Sequence, residues 1–204
     1  MKTVIQIVLA IIIVVLTYFI YEGVMTPIRF DKEKAIRYAH VIQRLKDIRT
    51  AQIVYKDQFG KYTGSFDTLL NFVKTGQMKL VKSIGQIDED SLSNMTEAEA
   101  VKKGLIIRDT ILMAVADTLF PKGYAIDSLR YIPFTQNKEF KMGAGTVLTA
   151  SKVKVKVFEA KAFNVDILHG LDPQLIINLN DTDKFPGLMV GSLEEANNNA
   201  GNWE

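Results

Sequence analysis

Cysteine is missing altogether. This excludes disulfides, thiolate chemistry and cysteine-ligated metals, and it leaves every compartment open. A surplus of one charge is missing too: 25 Lys and Arg stand against 23 Asp and Glu, a net charge of +2. Nucleic-acid binding usually shows as a clustered basic surplus, so that class loses its electrostatic case. Histidine is scarce. His40 and His169 lie far apart, each without a partner at ligand spacing. No G-x-S-x-G, H-E-x-x-H, P-loop or dinucleotide fingerprint occurs. Gly143-x-Gly145 lacks the rest of a phosphate loop and reads as strand punctuation. No two carboxylates are marked as facing each other across a cleft. The expectation is a non-enzymatic protein without cofactor or resident metal.

What the chain does have is a stretch from Val4 to Tyr21, VIQIVLAIIIVVLTYFIY, with no charge between Lys2 and Glu22. At a rise of about 1.5 Å per residue a helix over this run reaches about 27 Å, close to the ~30 Å of a hydrocarbon core. Tyr18, Phe19 and Tyr21 gather at one end, where rings suit headgroup level. A cleaved secretory signal is the rival reading, but YEGVMTPIRF after the run offers no A-x-A-like site. The predicted layout is therefore a transmembrane anchor over residues 1–24, held in membrane lipid through residues 4–21. A single exported α+β domain over 25–204 follows it. Counting positive charges (Lys2 against Arg29, Lys32, Lys34 and Arg37) leans the other way. The short amino tail before one anchor is the usual layout of a protein whose domain lies outside.

Pro27 is expected to kink or break the rod, with Asp31 capping a fresh helix. Tyr38, Leu45, Gln52 and Phe59 then fall seven apart, with Val41, Ile48 and Tyr55 on the second position of the repeat. One polar exception in seven predicts a strong amphipathic helix. Its stripe has two readings: packing on the protein's own sheet, or a seam between subunits. As contact residues for a partner or a second copy, Tyr38, Leu45, Ile48, Gln52 and Tyr55 are the candidates.

Gly60 ends this helix, and Ser65 caps a short one from Phe66 to Lys74, closed by Gly76. Strands are expected over Met78–Ile87, over Leu105–Val115 as one bent or two paired segments, and over Leu129–Phe134. Thr96-x-x-Glu99 reads as a capping box. Lys152 to Val157 alternates strictly, lysines on one face and valines on the other, and predicts a strand pairing with Glu139–Leu148. The lysine row suits either an acidic partner or a solvated face that discourages aggregation. Asp172-Pro173 opens a helix through Asn178, Leu188–Val190 is a strand, and Ser192-x-x-Glu195 is a second capping box. In the oxygen-rich run 178–183, Asn178, Asn180, Asp181 and Asp183 are weak calcium candidates. The run lacks EF-hand order, and helix termination with a turn is the plainer account. Asp88, Glu89 and Asp90 are an equally weak alternative.

The run Ile48 to Tyr55, continuing through Phe59-Gly60-Lys61-Tyr62-Thr63-Gly64-Ser65-Phe66 to Leu69, resembles type IV pilins and type II secretion pseudopilins over residues 1–75. There an apolar helix continues as an amphipathic one, then an aromatic, a Gly and a second short helix, with a sheet behind. The whole chain also resembles an uncharacterised family of Gram-negative envelope proteins. The resemblance implies a pilin-like α+β fold in which the long amphipathic helix packs on an antiparallel sheet. It further implies a bacterial inner-membrane protein with a periplasmic carboxy-terminal domain, working by self-assembly or protein contact in a secretion, pilus-like or envelope machine. Pilins carry an acid inside the span and a Gly just before it. This chain has neither, so what the resemblance implies is the shape rather than the processing. A membrane-anchored ligand-binding or enzymatic domain is the alternative.

Overall fold

The computed structural model describes residues 2–84 and 107–204. The fold is α+β: one long amino-terminal helix with a largely apolar first third, and small antiparallel sheets. Helix α1 runs unbroken from Lys2 to Phe59, with Pro27 inside it. The expected break at Pro27 and the fresh cap at Asp31 are therefore corrected. Proline removes one backbone donor and crowds the carbonyl four residues back, and here the helix continues through it.

The chain divides into two compact units, residues 1–49 with 129–204, and residues 50–128. In the first unit a three-stranded antiparallel sheet has the order β3-β4-β5, with β3 Lys141–Leu148, β4 Lys154–Phe163 and β5 Gly187–Gly191. Two helices lie between β4 and β5: α4, Asn164–Ile167, and α5, Pro173–Thr182. Asp172 caps α5 by accepting from the N–H groups of Gln174 and Leu175, as the Asp-Pro pair predicts. Central strand β4 is buried on both faces at Val157, Phe158, Glu159 and Ala160. The unit's interior is built from Phe30, Val41, Leu45 and Ile48 of α1 with Leu129, Phe140, Ile167, Leu188 and Val190.

The second unit begins with the last turns of α1. Gly60, at φ +67°, ends the helix, since a left-handed residue there costs glycine nothing. Helix α2, Phe66–Thr75, is capped by Ser65 and buries Phe66, Leu69, Leu70, Phe72 and Val73. A two-stranded ribbon follows: β1, Gln77–Ile84, pairs with β2, Ile107–Ala114, from Gln77↔Ala114 to Ile84↔Ile107. Short helix α3, Val115–Leu119, closes the unit. The capping box at Thr96–Glu99, the acids at 88–90 and the ends of the two expected strands at 85–87 and 105–106 lie outside the described residues.

Three expectations change. Leu129–Phe134 is a 3₁₀ turn, Ile126–Arg130, followed by the lone bridge Tyr131↔Glu139, because its buried residues Leu129 and Ile132 are spaced three apart rather than two. The alternating Lys/Val run enters the sheet only at Lys154; Lys152 turns the chain at φ +58° and Val153 is exposed. Ser192 caps a turn without a helix: its Oγ accepts from the N–H groups of Glu194 and Glu195.

Candidate functional site

The face of α1 singled out in the sequence lies inside the protein. Leu45, Ile48 and Gln52 have no exposed surface, Tyr55 is buried and Tyr38 half-buried. Leu45, Ile48, Gln52 and Tyr55 are thus covered by this chain's own residues, whereas Tyr38 keeps part of its surface. The polar exception has a clear task. Gln52 donates from Nε2 to the Thr63 carbonyl at 2.6 Å and accepts at Oε1 from the Thr63 N–H at 3.1 Å. Tyr55 stacks with Phe59 and meets Phe72 edge-on, at centroid distances of 4.6 and 5.2 Å.

The calcium candidates are dispersed by helix α5, which runs to Thr182 rather than ending at Asn178. At 100° per residue, Asn178 and Asn180 project about 200° apart. Each carbonyl oxygen is already used: Asn178 accepts from Gln174 at 2.9 Å and Asn180 from Asn164 at 2.8 Å. Asp183 follows as the C-cap, and Asp181 is exposed. Among the described residues no three acids or histidines come together as a metal-binding group.

In the first unit a cleft of about 840 Å³ runs along β5 and the carboxy-terminal segment. Its floor is the face of the sheet that carries Glu159 and Lys161. Strand register sets Gly143, Glu159 and Gly191 in one row, and Lys141, Lys161 and Met189 in the next. Glu159, almost fully buried, pairs with Lys161 at 2.5 Å. Phe185 lies 5.9 Å from the Lys161 ammonium and 5.4 Å from the Phe163 ring. Small residues keep this face low, and Leu193 lies over Gly143 and Gly145. The carboxy-terminal segment pairs on the far side of β5 through the bridge Val190↔Gly201 and a bond from Asn202 N–H to the Met189 carbonyl at 3.1 Å. Trp203 covers Gly201, and its indole N–H is buried without an acceptor among the described residues.

Tyr38 lines the same cleft and donates to Asn164 Oδ1 at 2.5 Å. Burial pushes its phenol up to about 12, with the nearby Asp183 charge adding to the rise and the Asn164 bond opposing it. Arg37 donates to the carbonyls of Ile167 and His169 at 3.2 and 2.9 Å, which ties α1 to the end of α4. Arg49 donates to Asn199 O at 3.2 Å and Glu204 Oε1 at 2.7 Å. That bond, helped by the Gly201 N–H, holds the Glu204 carboxyl below its ordinary range. None of these long-range partners is marked by a local motif, and only the fold brings them together.

Chemically the cleft carries two cations, Lys161 and Lys184, and four carboxylates, Glu159, Asp183, Glu194 and Glu195, along its walls. Neither histidine lines it; His40 meets Phe134 edge-on at 5.2 Å and His169 is exposed. The Ser192 hydroxyl serves the turn as an acceptor and has no imidazole beside it among the cleft residues. No family model, curated protein or solved structure matches this chain.

Proposed function

We propose that this chain is a single-span, non-enzymatic protein of the bacterial inner membrane. Its periplasmic α+β part is pilin-like and acts by assembly or by binding a protein partner in a secretion, pilus-like or envelope machine. The observation that carries the reading is the change in exposure along α1. Every residue from Lys2 to Tyr21 is exposed, whereas Phe30, Val41, Leu45 and Ile48 of the same helix are buried. The run Val4–Tyr21, apolar but for Gln6 and Thr17, is strongly unfavourable in water at roughly 25 cal/mol per Å², so this stretch calls for a non-aqueous neighbour. A long helix whose amphipathic half is buried, with an antiparallel sheet further along the chain, supports the pilin-like part of the reading.

The test is fractionation of cells producing the full chain with a carboxy-terminal tag, followed by protease treatment of intact spheroplasts and photo-crosslinking from Leu148 and Val153. These two exposed apolar residues flank the β3–β4 turn. The expected result is carbonate-resistant membrane protein, a tag digested from outside, and a discrete crosslinked band. Release as a soluble product overturns anchoring, and a protected tag overturns the exported side. A second reading, a membrane-anchored ligand-binding or enzymatic domain, is favoured by the 840 Å³ cleft. A small molecule retained by the purified full chain and lost on Lys161→Ala would move the function there.

A further inference from the structure

The burial of α1 begins as soon as its apolar run ends. Tyr21 is exposed, Glu22 half-buried, Met25, Thr26 and Pro27 half-buried, and Phe30 buried. The residues that meet this part of α1 come from the start of α5. Phe19, Gly23 and Pro27 line one side of a groove of about 470 Å³, and Asp172, Gln174 and Leu175 line the other. Phe19 lies two residues inside the apolar run, about 3 Å of helix rise below its end. A groove that includes both Phe19 and Asp172 thus straddles the boundary between the lipid-facing run and the polar part of the chain.

From this we propose that the groove is a lipid site, occupied by an aminophospholipid of the phosphatidylethanolamine type. The inference rests on the anchored reading of residues 4–21. Two features choose this occupant. The groove runs on from the apolar surface of α1, so an acyl chain lying along that surface enters it beside Phe19, Pro27 and Leu175. The ionised groups that line it are both acids: Glu22 is paired with Arg29 at 2.8 Å, and Asp172, with no ion pair among the described residues, is the charge that suits an ammonium headgroup over an anionic one. Among the described residues each acid uses one oxygen only. Glu22 Oε1 accepts from Arg29 at 2.8 Å and Thr26 at 3.3 Å, and Asp172 Oδ1 accepts both cap bonds. The second oxygen of each carboxylate remains for the ammonium. Proline at position 27 also gives the Gly23 carbonyl no donor from its own nitrogen, and both residues line the groove.

The absence of cysteine makes single-site labelling clean. The full chain carries a fluorophore at Leu9→Cys or at Gln174→Cys and is placed in nanodiscs of equal phosphatidylethanolamine and phosphatidylglycerol with doxyl-labelled quencher lipid. Lipid retained after mild extraction is measured by mass spectrometry. Quenching at Leu9 by mid-chain quencher reports the anchored reading, and quenching at Gln174 by shallow quencher reports the groove. The expected result is quenching at both sites and about two- to fivefold enrichment of the aminolipid, the range of a partly exposed ion pair. Asp172→Asn keeps a competent helix cap and should abolish the enrichment without lowering the midpoint of unfolding. No quenching at Leu9 overturns the anchoring. Quenching at Leu9 with none at Gln174 overturns the groove, as does enrichment that favours phosphatidylglycerol or survives Asp172→Asn.

Discussion

The Gln52 carboxamide closes a pair of hydrogen bonds on the Thr63 backbone, one to its carbonyl and one from its N–H, at 2.6 and 3.1 Å. A side chain with no exposed surface on the long helix thereby fixes the chain just after the turn that ends it. Replacing it by Leu preserves volume and removes both partners of a backbone residue. Each unsatisfied buried group costs about 1–3 kcal/mol. Gln52→Leu is expected to destabilise the second unit by about 2–4 kcal/mol, read as a lowered urea midpoint of the full chain in detergent micelles. An unchanged midpoint would show that water replaces the amide without loss.

Leu45 is fully buried, whereas Ile36 on the same helix is 44% exposed. Leu45→Ala should cost about 2–5 kcal/mol through lost contacts and the cavity left behind. Leu45→Asp and Ile48→Asp bury an unpaired charge and should abolish the folded state. Ile36→Asp, facing solvent, should leave the protease-resistant core intact. Limited proteolysis of the four variants separates these outcomes, and equal resistance for Leu45→Asp and the parent would remove this face from the core.

The helix stripe was legible because period and burial agree: the residues placed inward at 41, 45, 48, 52 and 55 are all buried. Phe59, on the same repeat, is 53% exposed because it sits in the last turn, where it packs sideways on Tyr55 and Phe72. The caps at Ser65 and Asp172 were legible because their chemistry is local. Ser192 offers the same local bonds, but Gly191 at φ +71° redirects the chain and Leu193 lies over Gly143, so no helix follows. The cleft was not legible. Its row Gly143–Glu159–Gly191 is a product of strand register, and the Tyr38–Asn164 bond joins residues 126 apart in sequence.

Gly191 combines two constraints. Its φ is +71°, and a Cβ there would collide with the Phe158 carbonyl oxygen. Gly170, in the same unit at φ +85°, has nothing within 4 Å of that position. Gly170→Ala should therefore cost about 1–2 kcal/mol from backbone conformation alone. Gly191→Ala adds displacement of β4 and should cost clearly more, with release of the carboxy-terminal segment. Amide exchange at Asn202, whose N–H bonds Met189 O, reports the release. Equal midpoints for the two variants would mean that the clash is relieved at no cost.

Tyr38 gives the first unit a pH limit. Its phenol ionises at about 12 rather than the ordinary 10, chiefly because burial disfavours the phenolate and next because Asp183 is near. A raised folded value means that the neutral form is favoured by folding. The contribution is present in full below pH 10 and disappears as pH rises from 10 through 12. Ionisation also removes the donor that reaches Asn164 Oδ1. Tyr38→Phe takes away the titration and the hydrogen bond together. It should lower stability by about 1 kcal/mol at pH 8 and flatten the fall in stability above pH 10. The deciding quantity is the difference between parent and variant, since the other tyrosines titrate in both. If that difference stays constant from pH 8 to pH 11.5, a range chosen to end about half a unit short of the raised value, then Tyr38 is not the residue that sets the alkaline limit.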